Sequence, residues 1–138
     1  MAMKLLKLVL LSSCLLGSAP ARASKTEPKV PAPAAAPAVA MPPLSAQIEV
    51  NFLLGYVDGS GCEFFYGGNW HDARQAQEQL RERYKLLIAA NLMTDTETDF
   101  IDQGAAENGT PYQVRCAGGT PIVIKRWLRH ELVRFRNF

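Results

Sequence analysis

Cys62, His71 and Asp72 lie close together in the stretch GYVDGSGCEFFYGGNWHDARQAQ, residues 55–77. A thiol beside an imidazole can lose its proton to it, and a neighbouring carboxylate or amide, Asp72 or Asn69, can hold the ring in the accepting tautomer. A small hydrolase or transferase built on Cys62 and His71 is therefore one reading. The plainer one is a stapled turn, in which Cys62 bonds to Cys116 and the surrounding glycines let the chain reverse. Gly59-Ser60-Gly61 is such a turn; it lacks the glycine spacing of a nucleophile elbow. The two histidines, His71 and His130, fall in separate predicted helices with no close Cys or His neighbour at zinc spacing, so neither a metal nor a cofactor is expected. No glycine-rich loop follows a strand and opens a helix in the pattern that cradles phosphate.

Which cysteine chemistry applies depends on compartment, and the amino terminus addresses that. Lys4 and Lys7 flank or enter an apolar run from Leu5 to Leu16, Gly17 breaks it, and Ala21-Arg22-Ala23 offers small residues for a signal peptidase. Residues 1–23 are read as a signal peptide and the mature protein as periplasmic or secreted. A run of this length is shorter than the roughly 20 residues that span a bilayer, so no transmembrane helix is expected in the mature chain. Leu11-Ser12-Ser13-Cys14 also resembles a lipobox. Cleavage there would make the protein a membrane-anchored lipoprotein, but with only Leu8–Leu11 as an uninterrupted apolar region. Removal of 1–23 leaves two cysteines of the three, and an even pair in an oxidising compartment reads as a disulfide, Cys62 to Cys116.

Residues 24–43, SKTEPKVPAPAAAPAVAMPP, are a Pro/Ala-rich linker. Its prolines forbid a continuous helix and favour an extended, unpacked spacer of at most about 60 Å. Residues 44–138 then form a single small globular domain, enough for one core but with limited buried surface. The domain carries ten basic and twelve acidic residues, so bulk attraction to polyanions is not expected, and export also argues against nucleic acid. The pattern is more informative than the total. Residues 94–107 hold five acids and no base, and residues 125–136 hold five bases and one acid, Glu131.

Four helices are predicted around these residues. Ser45 caps the first, with Ile48, Phe52, Leu53 and Tyr56 as its apolar stripe. Ala73, Ala76, Leu80, Tyr84 and Leu87 make the stripe of the second, which His71-Asp72 opens. Thr94 and Glu97 fit a capping box for a third, reaching about Ala106. The fourth sets Trp127, Leu128, Leu132 and Phe135 against Lys125, Arg126, Arg129 and Arg136. Two or three short strands remain: Cys62–Tyr66, Tyr112–Arg115 and Thr120–Ile124. Alternation puts Phe65 on one side of the first strand and Phe64 and Tyr66 on the other. Antiparallel pairing of the first two would bring Cys62 and Cys116 together at the strand ends. The expected fold class is α+β, mostly helical, on a minimal two- or three-stranded antiparallel sheet.

The ordered series Leu54-Gly55-Tyr56-Val57, Ser60-Gly61-Cys62, Phe64, His71-Asp72-Ala73, Phe100-Ile101-Asp102, Pro111-Tyr112-Gln113-Val114-Arg115, Gly118-Gly119 and Trp127-Leu128 resembles a family of small exported proteobacterial proteins known only as a domain of unknown function. The resemblance covers nearly all of residues 46–136. It departs at Ala105–Thr110, where such relatives carry a serine-rich turn. It implies export and a shared small fold, and carries no activity with it. The residues themselves favour a non-catalytic binding or structural module over an enzyme. Its binding candidates are Phe64, Phe65, Tyr66 and Trp70 around the aromatic turn, Arg115 on the second strand, and Arg126 and Arg129 on the last helix. The partner would be an envelope protein, a glycan or a lipid. A plainer role for the basic helix is pairing with the acidic third helix.

Overall fold

The computed structural model describes Gly17 and residues 38–138. The leader readings, Cys14 included, and residues 24–37 of the spacer lie outside the described residues.

Helix α1 spans Leu44–Gly59 and starts one residue before the expected cap. Pro43, not Ser45, stands at the N-cap, and no side chain caps the helix. The proline ring fixes φ near −51°, and the Pro43 carbonyl accepts the first helical hydrogen bond from Gln47 N at 3.1 Å. The buried stripe is also displaced from expectation. Ala46, Val50, Leu53, Leu54 and Val57 face the core, and Ile48 is exposed. Apolar residues recur on more than one face of this helix, and packing against the second helix selects among them.

Helix α2, Ala73–Ala89, buries Ala73, Ala76, Leu80 and Leu87, as its periodicity requires. Asp72 caps it in a reciprocal capping box: Gln75 N donates to Asp72 Oδ1 at 2.8 Å, and Asp72 N donates to Gln75 Oε1 at 3.3 Å.

The third helix, Thr96–Gly104, is a π-helix. The expected Thr94–Glu97 box does not form. Asp95 is the N-cap, accepting from Glu97 N at 2.9 Å and Thr98 N at 2.8 Å. The turn before it is held from the other side by buried Asp99, whose Oδ2 accepts from Thr94 N, Thr94 Oγ1 and Asp95 N at 2.7, 2.7 and 2.9 Å. Burial pushes the Asp99 carboxyl up, but these three hydrogen bonds outweigh it and hold the group below the usual carboxylate range. A group whose folded value is depressed stabilises fully above its unfolded value, about 4 for Asp, and loses that contribution as pH falls through the folded one. Asp99→Asn is expected to cost about 2 kcal/mol at neutral pH, since hydrogen bonds to a charge become bonds to a neutral amide. Urea denaturation at two pH values checks this: the gap from wild type should narrow on acidification.

Six short strands form, against the two or three expected, and the antiparallel pair that flanks the cysteines has the register they anticipate. Strands β1 (Glu63–Tyr66), β2 (Asn69–His71), β5 (Gln113–Arg115) and β6 (Ile122–Val123) form an antiparallel sheet in the order β2-β1-β5-β6. Strands β3 (Ala106–Glu107) and β4 (Thr110–Pro111) form a separate hairpin. The main sheet is larger than expected because Asn69-Trp70-His71 folds back on β1. Gly67 and Gly68, at φ 59° and 82°, make the two-residue loop that only such residues turn without strain. Between β1 and β5 the register pairs Glu63 with Arg115 and Phe64 with Val114. The next pair outward is Cys62 and Cys116, which form a disulfide with their Cα atoms 4.4 Å apart.

Helix α3, Ile124–Arg136, completes the core, with Ile124, Leu128 and Leu132 fully buried beside Phe64, Phe100, Ile101, Leu53 and Leu80. Aromatic contacts tie it to α1 and β1: Phe52 stacks on Phe135 with centroids 4.3 Å apart, and Trp127 meets Tyr56 at 4.7 Å and Phe64 at 5.6 Å. Its bases do pair with the acidic segment. Arg129 reaches Asp102 and Glu97, and Arg136 forms a forked pair with Glu49 at 2.7 and 3.0 Å and approaches Glu97 at 3.6 Å. Arg136 holds the Glu49 carboxyl below its ordinary value. Among the described residues no helix is long and apolar enough to cross a membrane.

Candidate functional site

Alternation along β1 divides the aromatic triplet. Phe64 points inward and is 0% exposed, packed against Trp127. Its place among the surface binding candidates is thereby corrected: a ligand cannot reach it without unfolding the core. Phe65 points outward, opposite Trp70 on β2 and Gln113 on β5. The rings of Phe65 and Trp70 lie 5.3 Å apart. Arg115 reaches across β1 to set its guanidinium 3.9 Å from the Trp70 ring centroid, and its Nε donates to Glu63 Oε2 at 2.8 Å. That hydrogen bond holds the Glu63 carboxyl below the usual range. Phe65, Trp70 and Arg115 are half-buried, while Glu63, Gln113 and Val123 are exposed. The outer face thus carries an aromatic pair, a cation on one of its rings and a neutralising carboxylate.

At the Tyr66 end of β1, between it and the β3–β4 hairpin, lies a cleft of about 330 Å³. Tyr66 forms part of its wall. The Tyr66 ring stacks on His71 with centroids 3.8 Å apart and meets Tyr112 at 5.0 Å. His71 Nε2 lies 3.2 Å from the Tyr66 carbonyl oxygen, and buried Tyr112 accepts at its hydroxyl from Gln79 Nε2 at 3.2 Å. Burial pushes the Tyr66 phenol up, aided by Tyr112, Asp72 and Glu78 nearby.

These contacts give each residue of the catalytic alternative a position. The sulfur of Cys62 is bonded to Cys116, Asp72 Oδ1 caps α2, and His71 closes β2 against Tyr66. Cys62 is buried, whereas Cys116 is exposed. Of the basic candidates, Arg129 is engaged by Asp102 and Glu97, and Arg126 is exposed on α3. Among the described residues no group of three or more His, Cys, Asp or Glu side chains could hold a metal ion. Gln113 was not among the sequence candidates, nor were Glu107, Asn108, Thr110 and Tyr112 of the cleft. The two-residue loop Gly67-Gly68 sets Phe65 directly opposite Trp70. The cleft residues left no signal in the sequence, because their meeting with the first hairpin is set by tertiary packing.

The fold and site define a disulfide-bonded α+β domain, mostly helical, with one sheet face left open. The chain belongs to a family of unknown function, DUF5329, whose profile matches residues 44–136. No curated protein and no solved structure matches the chain.

Proposed function

We propose that the protein is exported and acts as a non-catalytic binding module of the cell envelope, using the outer face of the sheet and the cleft at its end. The observation that carries this reading is the half-buried set Phe65, Trp70 and Arg115 on the sheet face opposite Phe64. Structural aromatics in so small a domain would be expected inside, as Phe64 is. Export is supported by the leader reading of residues 1–23 and by the Cys62–Cys116 bond, since disulfides persist in oxidising compartments. Cleavage after Ala23 would release a periplasmic or secreted protein, with residues 24–43 as the spacer before the domain.

Cosedimentation with a purified envelope fraction tests the binding surface. Wild type should sediment with the fraction. Trp70→Ala and Arg115→Ala should reduce retention several-fold, as loss of central aromatic and arginine contacts does at binding sites. Arg81→Ala, exposed on α2, should retain it. Equal retention of all four proteins would reject this face as the binding surface.

A further inference from the structure

Helix α1 is apolar on more sides than it buries, the pattern of a helix covered from more than one direction. Its core-facing residues are Ala46, Val50, Leu53, Leu54 and Val57. On the opposite side Leu44 is 71% exposed and Ile48 50%, and Asn51 and Gly55 continue the same exposed stripe. The steps between these four are 4, 3 and 4 residues, the spacing of a helix-pairing seam. No charge interrupts the stripe, because Glu49, the one charged residue between Leu44 and Gly55, is turned aside to Arg136. A notch lies open beside Gly55: no side chain of the surrounding elements comes within 4 Å of where a Cβ would stand. The helix ends are also incomplete. No side chain caps the start at Pro43, the first turn holds no acid, and the last turn holds exposed Asp58 and no base. Asp58 thus stands at the negative end of its own helix dipole, and the free amides of the positive end lack an anion.

We propose that this stripe is a self-association surface, on which α1 of a second copy of the chain packs antiparallel across a two-fold axis. The four residues are symmetric about the peptide bond between Glu49 and Val50, so such a pair sets Leu44 of each copy on Gly55 of the other, and Ile48 on Asn51. The largest projection meets the notch, as interlocking surfaces require. Asn51 lies next to the axis, so the two carboxamides, each both donor and acceptor, can pair with one another. The same arrangement carries Asp58 to the other copy's uncapped helix start, which answers both unfavourable ends with opposite charge. A lipid surface would accept Leu44 and Ile48 but would leave the amides unpaired and Asp58 unanswered. From Leu44 to Gly55 the stripe is about 17 Å long and about 10 Å wide, well below the roughly 800 Å² per partner of a standard interface. The dimer is therefore weak, with a Kd expected at about 0.1 mM. The contact uses no residue of the sheet, so a dimer presents two copies of the binding face and holds a repeating envelope ligand with added avidity.

Sedimentation equilibrium of the mature protein, from micromolar to roughly millimolar concentration, tests the contact. A reversible monomer to dimer equilibrium is expected. Ile48→Glu should weaken it at least about tenfold by setting a charge in the seam, and Gly55→Gln by a similar factor by filling the notch that receives Leu44. Both positions are exposed, and glutamine is a better helix former than glycine, so neither monomer should unfold at a markedly lower temperature. Asp58→Lys separates association from folding. It suits the negative end of its own helix and should raise the melting temperature of the monomer slightly, while weakening the dimer. Wild type that stays monomeric throughout the range overturns the proposal. So does a dimer that survives Ile48→Glu, which places the contact elsewhere. A dimer that Ile48→Glu breaks but Gly55→Gln and Asp58→Lys leave intact overturns the antiparallel pairing. Binding of monomeric wild type, but not of Ile48→Glu, to phosphatidylcholine vesicles would give the stripe to a lipid surface and overturn the proposal as well. None of these outcomes bears on the sheet face, so cosedimentation through Trp70 and Arg115 stands or falls on its own.

Discussion

Cys62→Ala, Cys116→Ala and the double variant are expected to lose the same stability, about 4 kcal/mol, because all three remove one bond. The bridge closes a sequence separation of 54 residues, and in the chain-entropy treatment a loop of that size confers about 4 kcal/mol by restricting the unfolded chain. For a domain near 100 residues this corresponds to a fall in Tm of roughly 15–30 °C. Thermal unfolding with and without a thiol reductant makes the comparison: reduced wild type should melt with the variants. Intact mass after alkylation should show label only after reduction. A loss confined to Cys62→Ala, with label taken up by the unreduced protein, would instead restore the nucleophile reading of Cys62 and His71.

Phe64→Ala is expected to cost roughly 3–5 kcal/mol, the range for emptying a buried phenylalanine site. Its neighbour behaves oppositely. Phe64 is 0% exposed and touches Trp127, whereas Phe65 is half-buried beside Trp70 on the open face. Phe65→Ala should therefore cost only about 1 kcal/mol, the scale of a cross-strand aromatic pair, and should lower envelope retention in the cosedimentation assay. Urea denaturation and cosedimentation of the two variants together separate core from surface within one dipeptide. Equal destabilisation by both would show that the outer face is also part of the folding core.

Contacts within one element were legible in the residues alone. Helix α2 and its Asp72 cap follow from a 3.6-residue stripe and an acid before it, both local properties. The disulfide was legible for a different reason: once the leader is set aside only two cysteines remain, and they stand at the ends of two segments that antiparallel pairing brings together. The opposite charges of residues 94–107 and 125–136 likewise anticipated Arg129 with Asp102 and Glu97.

Choices between locally equivalent arrangements needed the tertiary structure. Helix α1 is apolar on several faces, so only its packing decided that Ala46 and Val50 are buried and Ile48 is not. The Thr94–Glu97 box and the Asp95 cap are both locally sensible, and buried Asp99 selected the second by holding Thr94 and Asp95 through one oxygen. The open sheet face was half legible, in that alternation separates Phe65 from Phe64 but not which side the helices cover. The cleft was not legible at all. Residues 65–68 and 107–112 are far apart in the chain, each segment reads as an ordinary turn, and the concavity between them exists only once the core has placed both hairpins.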